Sequence, residues 1–460
     1  MEDHRPDYDY RVLSVRTIAL AALALVVVGV GVAAWLLVAF GNGTAESANR
    51  LDAIKTAGTI VVGTGGAAAL WLAARRQRTS EIALRQKDLE HALQVRMAAV
   101  SEADSAERRV TELYTKAADQ LGADKAPVRL AGMYALERLA QSTSSQRQTV
   151  VNLLCAYLRM PFDALREDPD EVWEQERQVR LTAQRILTKH LRAGEDFWPG
   201  ISIDLTGATL INADFAGCRA DRLRHDEVLF SGPADFAGAR PGIATFEGAR
   251  FTDHAVFHSA EFAGWTSFAG ASFAAPAIFN GATFNGETNF SLARFANEAS
   301  FRGATFASPA GFVKVSFAGD ALFEETRFNE TIRFRRTGFA GAAIFRNSVF
   351  SKNARFDGSV FSTLTDFDRA EFHQYVEFSE AEFHGDTRFG HVRFHDSARF
   401  ASTKFRGDAL FEGSLVKLDV PNTVARDWPK IDRAQPGRYE VDDHDPEWGQ
   451  LRYRLDTDRT

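Results

Sequence analysis

Phenylalanine recurs from Phe246 to Phe411 at gaps that alternate five and six without a slip. Fifteen such double steps, each of 11, separate the first ring from the last, and the run carries 31 phenylalanines. An 11-residue period can mark a right-handed coiled coil. Here it does not, because steps of five and six turn an α-helix by about 500° and 600° and scatter the rings. Glycine also follows the ring repeatedly, at Gly248, Gly270, Gly281, Gly303 and Gly358, which opposes helix. The residue two before each Phe, from Ala244 to Ala409, is 18 times Ala, 7 Thr, 2 Ser, 3 Val and 1 Ile, and never charged. Small-x-Phe places two side chains on one face of an extended segment and one on the other. A bend rich in Gly, Asn, Asp or Ser follows. Short strands joined by regular bends stack into a β-solenoid, with a Phe and a small residue facing inward in each repeat. Burial of each ring contributes roughly 2 kcal/mol. A charge at Ala304 should be ruinous, whereas the outward phase at Ser300 should accept one.

The N-terminal region reads differently. Thr17 to Phe40 is 24 residues without a charge, and Thr56 to Ala74 is a further 19. Both are long enough to cross a bilayer as helices. The pattern predicts a membrane α-hairpin: a 1–16 segment, a span over 17–40, a loop over 41–55 and a second span over 56–74. Lys and Arg flank the pair outside the loop, at Arg5, Arg11, Arg16, Arg75, Arg76 and Arg78, against Arg50 and Lys55 within it. That bias predicts a two-pass protein of the inner cell membrane, with the lipid bilayer as a partner and both termini cytoplasmic.

Residues 75–195 form the expected helical stalk and helical domain. From Thr79 to Gln120 there is no Gly or Pro, as a long helix requires. Ile82, Leu89, Leu93, Val100 and Ala103 can be threaded into a coiled-coil seam, which would make a homo-oligomer. Helices over 125–140 and 149–158 look like a HEAT-type hairpin, and a further helix runs from Glu171 to Leu191. Pro127 suits a first helical turn. The only cysteines are Cys155 and Cys218, too few for a disulfide framework or a four-cysteine zinc site. Cys155 sits in an apolar stretch and reads as core.

Leu205-Thr-Gly-Ala-Thr-Leu210-Ile-Asn-Ala-Asp-Phe215 has central apolar residues five apart, with Ala two before the second and third. It resembles the A-(D/N)-L-x-x pattern of the pentapeptide-repeat family, and the Phe run resembles a Phe-centred variant with an 11-residue double repeat. Tyr114 to Leu121 and Val128 to Ala140 resemble the helical segment that precedes the repeats in bacterial membrane-anchored members. The resemblance implies a right-handed quadrilateral β-helix over 201–416. The phase breaks between Ala220 and Phe246, where Pro241 takes a core position, so regular coils are in doubt there. Four sides make each coil out of two double repeats. That sets Asp366 against Arg388, Glu371 against Arg393, and Glu377 between Arg355 and Arg399. The helices before Ile201 can cover one end of the solenoid. The tail over 417–460 is either a cap built with Trp428 and Trp448 or a disordered extension.

Some pentapeptide-repeat proteins imitate DNA and protect gyrase, which would make this chain a membrane-tethered gyrase modulator. The alternative needs a strongly acidic surface, and Phe246 to Phe411 carries 19 acidic and 17 basic residues. The whole-chain net charge of −7 also argues against direct nucleic-acid binding. His373, His384, His391 and His395 are candidate metal ligands, with His373 and His395 stacked in a four-sided coil; the reading adopted is solvated turn histidines and no metal. No phosphate loop, nucleophile elbow or dinucleotide fingerprint is present. The chain therefore reads as a non-catalytic, membrane-anchored scaffold without cofactor, presenting its solenoid to an unknown protein partner. The docking candidate is the basic cluster Arg333, Arg335 and Arg336.

Overall fold

The computed structural model describes residues 15–39, 47–417, 437–442 and 448–455. The chain divides into two units, Met1–Glu107 and Arg108–Thr460. The first contains α1 (Val15–Ala39) and most of α2 (Ser47–Leu121). The second span expected over 56–74 is not a separate helix. It is interior to the 75-residue α2, which starts inside the expected loop and runs on through Arg75 into charged sequence. Gly58, Gly63, Gly65 and Gly66 alternate there with Thr56, Thr59 and Thr64, and the Thr59 hydroxyl donates to the Lys55 carbonyl at 2.7 Å. Among the described residues no helix is long and apolar enough to cross a membrane. The membrane hairpin and the two-pass, inner-membrane location with cytoplasmic termini are corrected accordingly, and a helical N-terminal region stands in their place. The expected bilayer contact loses its support with them. Most of the 1–16 segment and the first part of the 41–55 loop lie outside the described residues.

In the second unit, the last turns of α2 pack with α3 (Ala126–Ser142), α4 (Arg147–Arg159) and α5 (Glu171–Leu191). Met133, Leu136, Val150, Leu154, Leu158, Val179 and Leu187 are buried among them. Pro127 sits in the first turn of α3, where its missing N–H does no harm. Asp170 caps α5 by accepting from the Trp173 N–H at 2.7 Å. Gly132 lets α3 approach α2, because a Cβ there would lie 2.8 Å from the Ala117 carbonyl oxygen.

From Ser202 to Lys417 the chain forms a parallel β-solenoid of about ten coils. A regular coil has four short strands, such as Arg250–Phe251, Ala255–Val256, Glu261–Phe262 and Thr266–Ser267. The expected four sides and the register of two double repeats per coil are both present: Thr283 pairs with Thr305 and Ala277 with Ala299. Coils stay regular across the phase break by shortening. Ser202 pairs with Arg222 and Arg219 with Arg240, two positions and one position short of the later register. Pro241 is buried where a Phe would stand, and pairs with Ala220.

The 31 rings of the run form four columns. Along one, Phe257, Phe279 and Phe301 stack at 4.7 Å and within 2° of parallel. Across the centre, Phe268 meets Phe279 edge-on at 5.4 Å and 85°. Stacking is offset between coils and T-shaped between columns, the two arrangements that the ring quadrupole favours. Ala304 and its equivalents are fully buried. Where the small residue is polar, its hydroxyl commonly bonds a carbonyl of an earlier coil: Thr326 donates to the Phe301 carbonyl and Ser348 to the Phe323 carbonyl, each at 2.8 Å, and Thr337 donates to that of Phe312, whereas the buried Thr365 hydroxyl has no partner among the described residues. Ser300 departs from expectation. It is only 2% exposed and its hydroxyl donates to Asn280 Oδ1 at 2.6 Å, so a charge there would be buried too.

Each end of the solenoid meets a different cap. A first coil has no preceding coil to bond, and side chains from the helices supply the missing partners. Gln184 of α5 accepts from the Ile211 N–H at 2.9 Å and donates to the Ile211 carbonyl at 2.8 Å. Gln148 of α4 does the same for Ser202, at 3.0 and 2.8 Å. Arg192 donates to the carbonyls of Ala216 and Asp214. Trp198 is buried beneath, stacked on His190 at 3.8 Å. At the far end, Leu415–Lys417 pairs antiparallel with Trp448–Leu455, which pairs in turn with Gly437–Asp442. Trp428 lies outside the described residues.

His225 replaces a ring in the core. It is fully buried, lies parallel to Phe246 at 5.2 Å, and has no hydrogen bond on either ring nitrogen among the described residues. Burial pushes its imidazole down to about 3 from 6.5. The unfolded chain therefore binds a proton that the folded chain refuses. The contribution of His225 to stability is full above pH 6.5 and falls by up to about 1.4 kcal/mol per pH unit below it, towards the folded value. Urea unfolding as a function of pH should show this slope, and His225→Phe should make it shallower between pH 6.5 and about 4.5 and raise stability. Gln184→Leu orphans the buried N–H and C=O of Ile211 and should cost about 1–3 kcal/mol for each group left unpaired. Amide exchange at Ile211 should accelerate in that variant, while exchange in the distant coils stays unchanged if the cap acts locally.

Candidate functional site

The outer surface of the solenoid is a grid, because strands of each coil pair in register with those of the next. Several charges on this grid are paired between coils. Glu371 binds Arg393 at 3.0 Å and Glu377 binds Arg355 at 2.7 Å. Asp366 is fully buried between Arg346 at 2.6 Å and Arg388 at 3.7 Å. Arg399 lies in register with Glu377. The pairings expected from a four-sided coil are therefore present. The exposed pairs contribute little each, and their effect is to cancel the surface field locally.

The basic cluster splits under this geometry. Arg335 donates through Nε to Asp357 at 2.7 Å and is committed to that pair. Arg333 lies on the strand Ile332–Arg333, between Gly311 and Arg355 of the adjacent coils. Arg336 occupies a left-handed turn position at φ 54°, and Lys314 occupies the equivalent one at φ 56°. Lys314, Arg333 and Arg336 are exposed and carry no ion pair among the described residues. Lys314 is absent from a cluster read along the chain. The coil length is the signal that finds it, since Lys314 stands one full coil before Arg336.

The remaining candidates sort by burial. Cys155 and Cys218 are buried, and burial pushes both thiols up to about 12, so neither is a thiolate nucleophile near neutral pH. A shallow groove near the start of the solenoid is lined by Arg219, Asp221, Arg240 and Glu261, with Arg240 bound to Glu261 at 2.9 Å. Of the four histidines, His373 and His395 are brought together, with parallel rings 4.4 Å apart. The Nε2 of His373 lies 3.4 Å from a Glu371 oxygen. One ligand atom from each of Glu371, His373 and His395 lies within 4.8 Å of the others. His384 instead sits beside Glu382 at 3.3 Å, and His391 beside Asp368 at 3.2 Å.

This architecture defines the class: a Phe-centred parallel β-solenoid behind a helical cap. The family model for pentapeptide repeats (9 copies) matches residues 268–316, 345–393 and 367–415. These stretches of the solenoid thus carry pentapeptide repeats. No curated protein and no solved structure matches the chain.

Proposed function

We propose that the protein is a non-catalytic interaction protein whose solenoid docks an acidic segment of a protein partner on Lys314, Arg333 and Arg336. A pentapeptide-repeat β-helix fits a protein-interaction role of this kind. The carrying observation is the contrast in pairing. These three cations stand exposed without an ion pair among the described residues, while Arg335 and Arg355 beside them are bound to carboxylates. Arg333 is held on a strand and Lys314 and Arg336 in the equivalent turn of successive coils, so binding costs little ordering entropy in the backbone. The near balance of 19 acidic and 17 basic residues between Phe246 and Phe411 gives no one-signed field of the kind that DNA mimicry needs.

Lys314→Glu, Arg333→Glu and Arg336→Glu together should leave the melting transition nearly unchanged, because exposed positions away from packing shift stability by about 0.5 kcal/mol or less. The same change should remove the partner recovered by crosslinked co-purification, and added salt should weaken the wild-type contact. Unchanged recovery rejects the patch.

A second reading, self-association, rests on the seam of α2. Ile82, Leu89, Leu93 and Val100 are 42%, 63%, 57% and 59% exposed in the single chain. Light scattering of the full chain should then give a multiple of the 50.8 kDa monomer, and Leu89→Glu with Leu93→Glu should return the monomer.

A further inference from the structure

We propose that Glu371, His373 and His395 form a binding site for one divalent transition-metal ion of the zinc type, near the C-terminal end of the solenoid. The site follows from register. Glu371 pairs with Arg393 and Phe372 with Phe394, so the histidines that follow, His373 and His395, occupy the same position on successive coils. Their rings stack at 4.4 Å with 17° between planes. Glu371 precedes His373 by two positions on the same strand face, which brings its carboxylate to 3.4 Å from His373 Nε2. The three ligand atoms already lie within 4.8 Å of one another. Metal–ligand bonds of about 2.0–2.2 Å need the rings to turn out of their parallel stack so that both lone pairs meet one ion.

A second observation points the same way. His395 Nε2 is buried and has no hydrogen-bond partner among the described residues. An unpartnered imidazole nitrogen beside a second imidazole and a carboxylate has the donor set that suits zinc, nickel or copper rather than magnesium or calcium. Arg393 holds the other Glu371 oxygen at 3.0 Å, which orients the carboxylate and leaves one oxygen for the ion. The positive charges of Arg393 and Lys417 near His395 oppose a cation and limit the affinity. Three protein ligands leave a fourth position to water. Trp448 packs edge-on against His395 at 4.9 Å, and its strand pairs with Leu415–Lys417. An ion here would tie two coils together beside the hairpin that pairs with the last coil.

The chain contains its own control. Glu382-Phe-His384 repeats the local sequence, and His384 lies beside Glu382 at 3.3 Å, but the residue one coil further on is Arg406 instead of a histidine. The test is calorimetric titration of the chelator-treated full chain with Zn²⁺. One saturable ion per chain is expected. His373→Gln and His395→Gln should each weaken it by at least about tenfold, and His384→Gln should leave it unchanged. No saturable uptake, or equal uptake by the His373→Gln, His395→Gln double variant, overturns the site. Should the double variant unfold, Co²⁺ added to the wild-type chain decides: intense four-coordinate visible absorption supports the site, and the weak spectrum of the hydrated ion overturns it.

Discussion

The structure depends on a match of two distances. Parallel strands in adjacent coils are about 4.8 Å apart, and aromatic rings stacked in an offset way prefer nearly the same separation. The Phe columns take both at once: Phe251 and Phe273 stack at 4.6 Å, and Phe339 and Phe361 at 4.7 Å. No ring has to tilt far to follow the backbone, so one side chain can fill every core position over many coils. The edge-to-face contacts across the centre, such as Phe345 with Phe356 at 5.5 Å and 85°, then fix the opposite columns relative to each other. The small residues between columns are a consequence, because four large rings per coil leave room mainly for Ala, Ser, Thr or Val.

The same match explains what was legible in the sequence. A single residue type serving a single position makes periodicity visible. The 5/6 alternation led to strand, solenoid and, once four sides were assumed, the pairings of Glu371 with Arg393 and Asp366 with Arg388. The first coils were obscure because their inward residues vary: Leu210, Ala220, His225 and Pro241 all do the work of Phe, in coils of shorter register. The caps were obscure for another reason. Gln148 and Gln184 look like surface glutamines on amphipathic helices, and only their position over the open backbone of Ser202 and Ile211 gives them a role. Residue chemistry alone also mis-set Ser300, whose outward phase is covered by Asn280 of the previous coil.

The N-terminal difference has a similar origin. Two uncharged runs suggest one span for each, yet α2 passes from Ser47 through Lys55, the glycine-rich stretch and Arg75 without a break. Helix continuity is set by the lack of Pro and by propensity summed along the chain, and neither quantity marks where an apolar segment begins or ends.

A solenoid with a uniform core puts its individuality on the outside. Stability is shared among repeats and their interfaces, so an outward residue is constrained mainly by its neighbours one coil above and below. Those neighbours decide whether a charge is neutralised within the rod or remains available. Arg335 has Asp357 one coil on and is neutralised; Arg336 has Lys314 one coil before and Gly358 one coil on, and neither offers it a carboxylate. His384 has Arg406 one coil on, whereas His373 has His395 and becomes part of a cluster. The cation patch and the histidine cluster therefore come from the same rule. A charged or ligating side chain stays available in this fold when the residue one coil away fails to pair it, or repeats it.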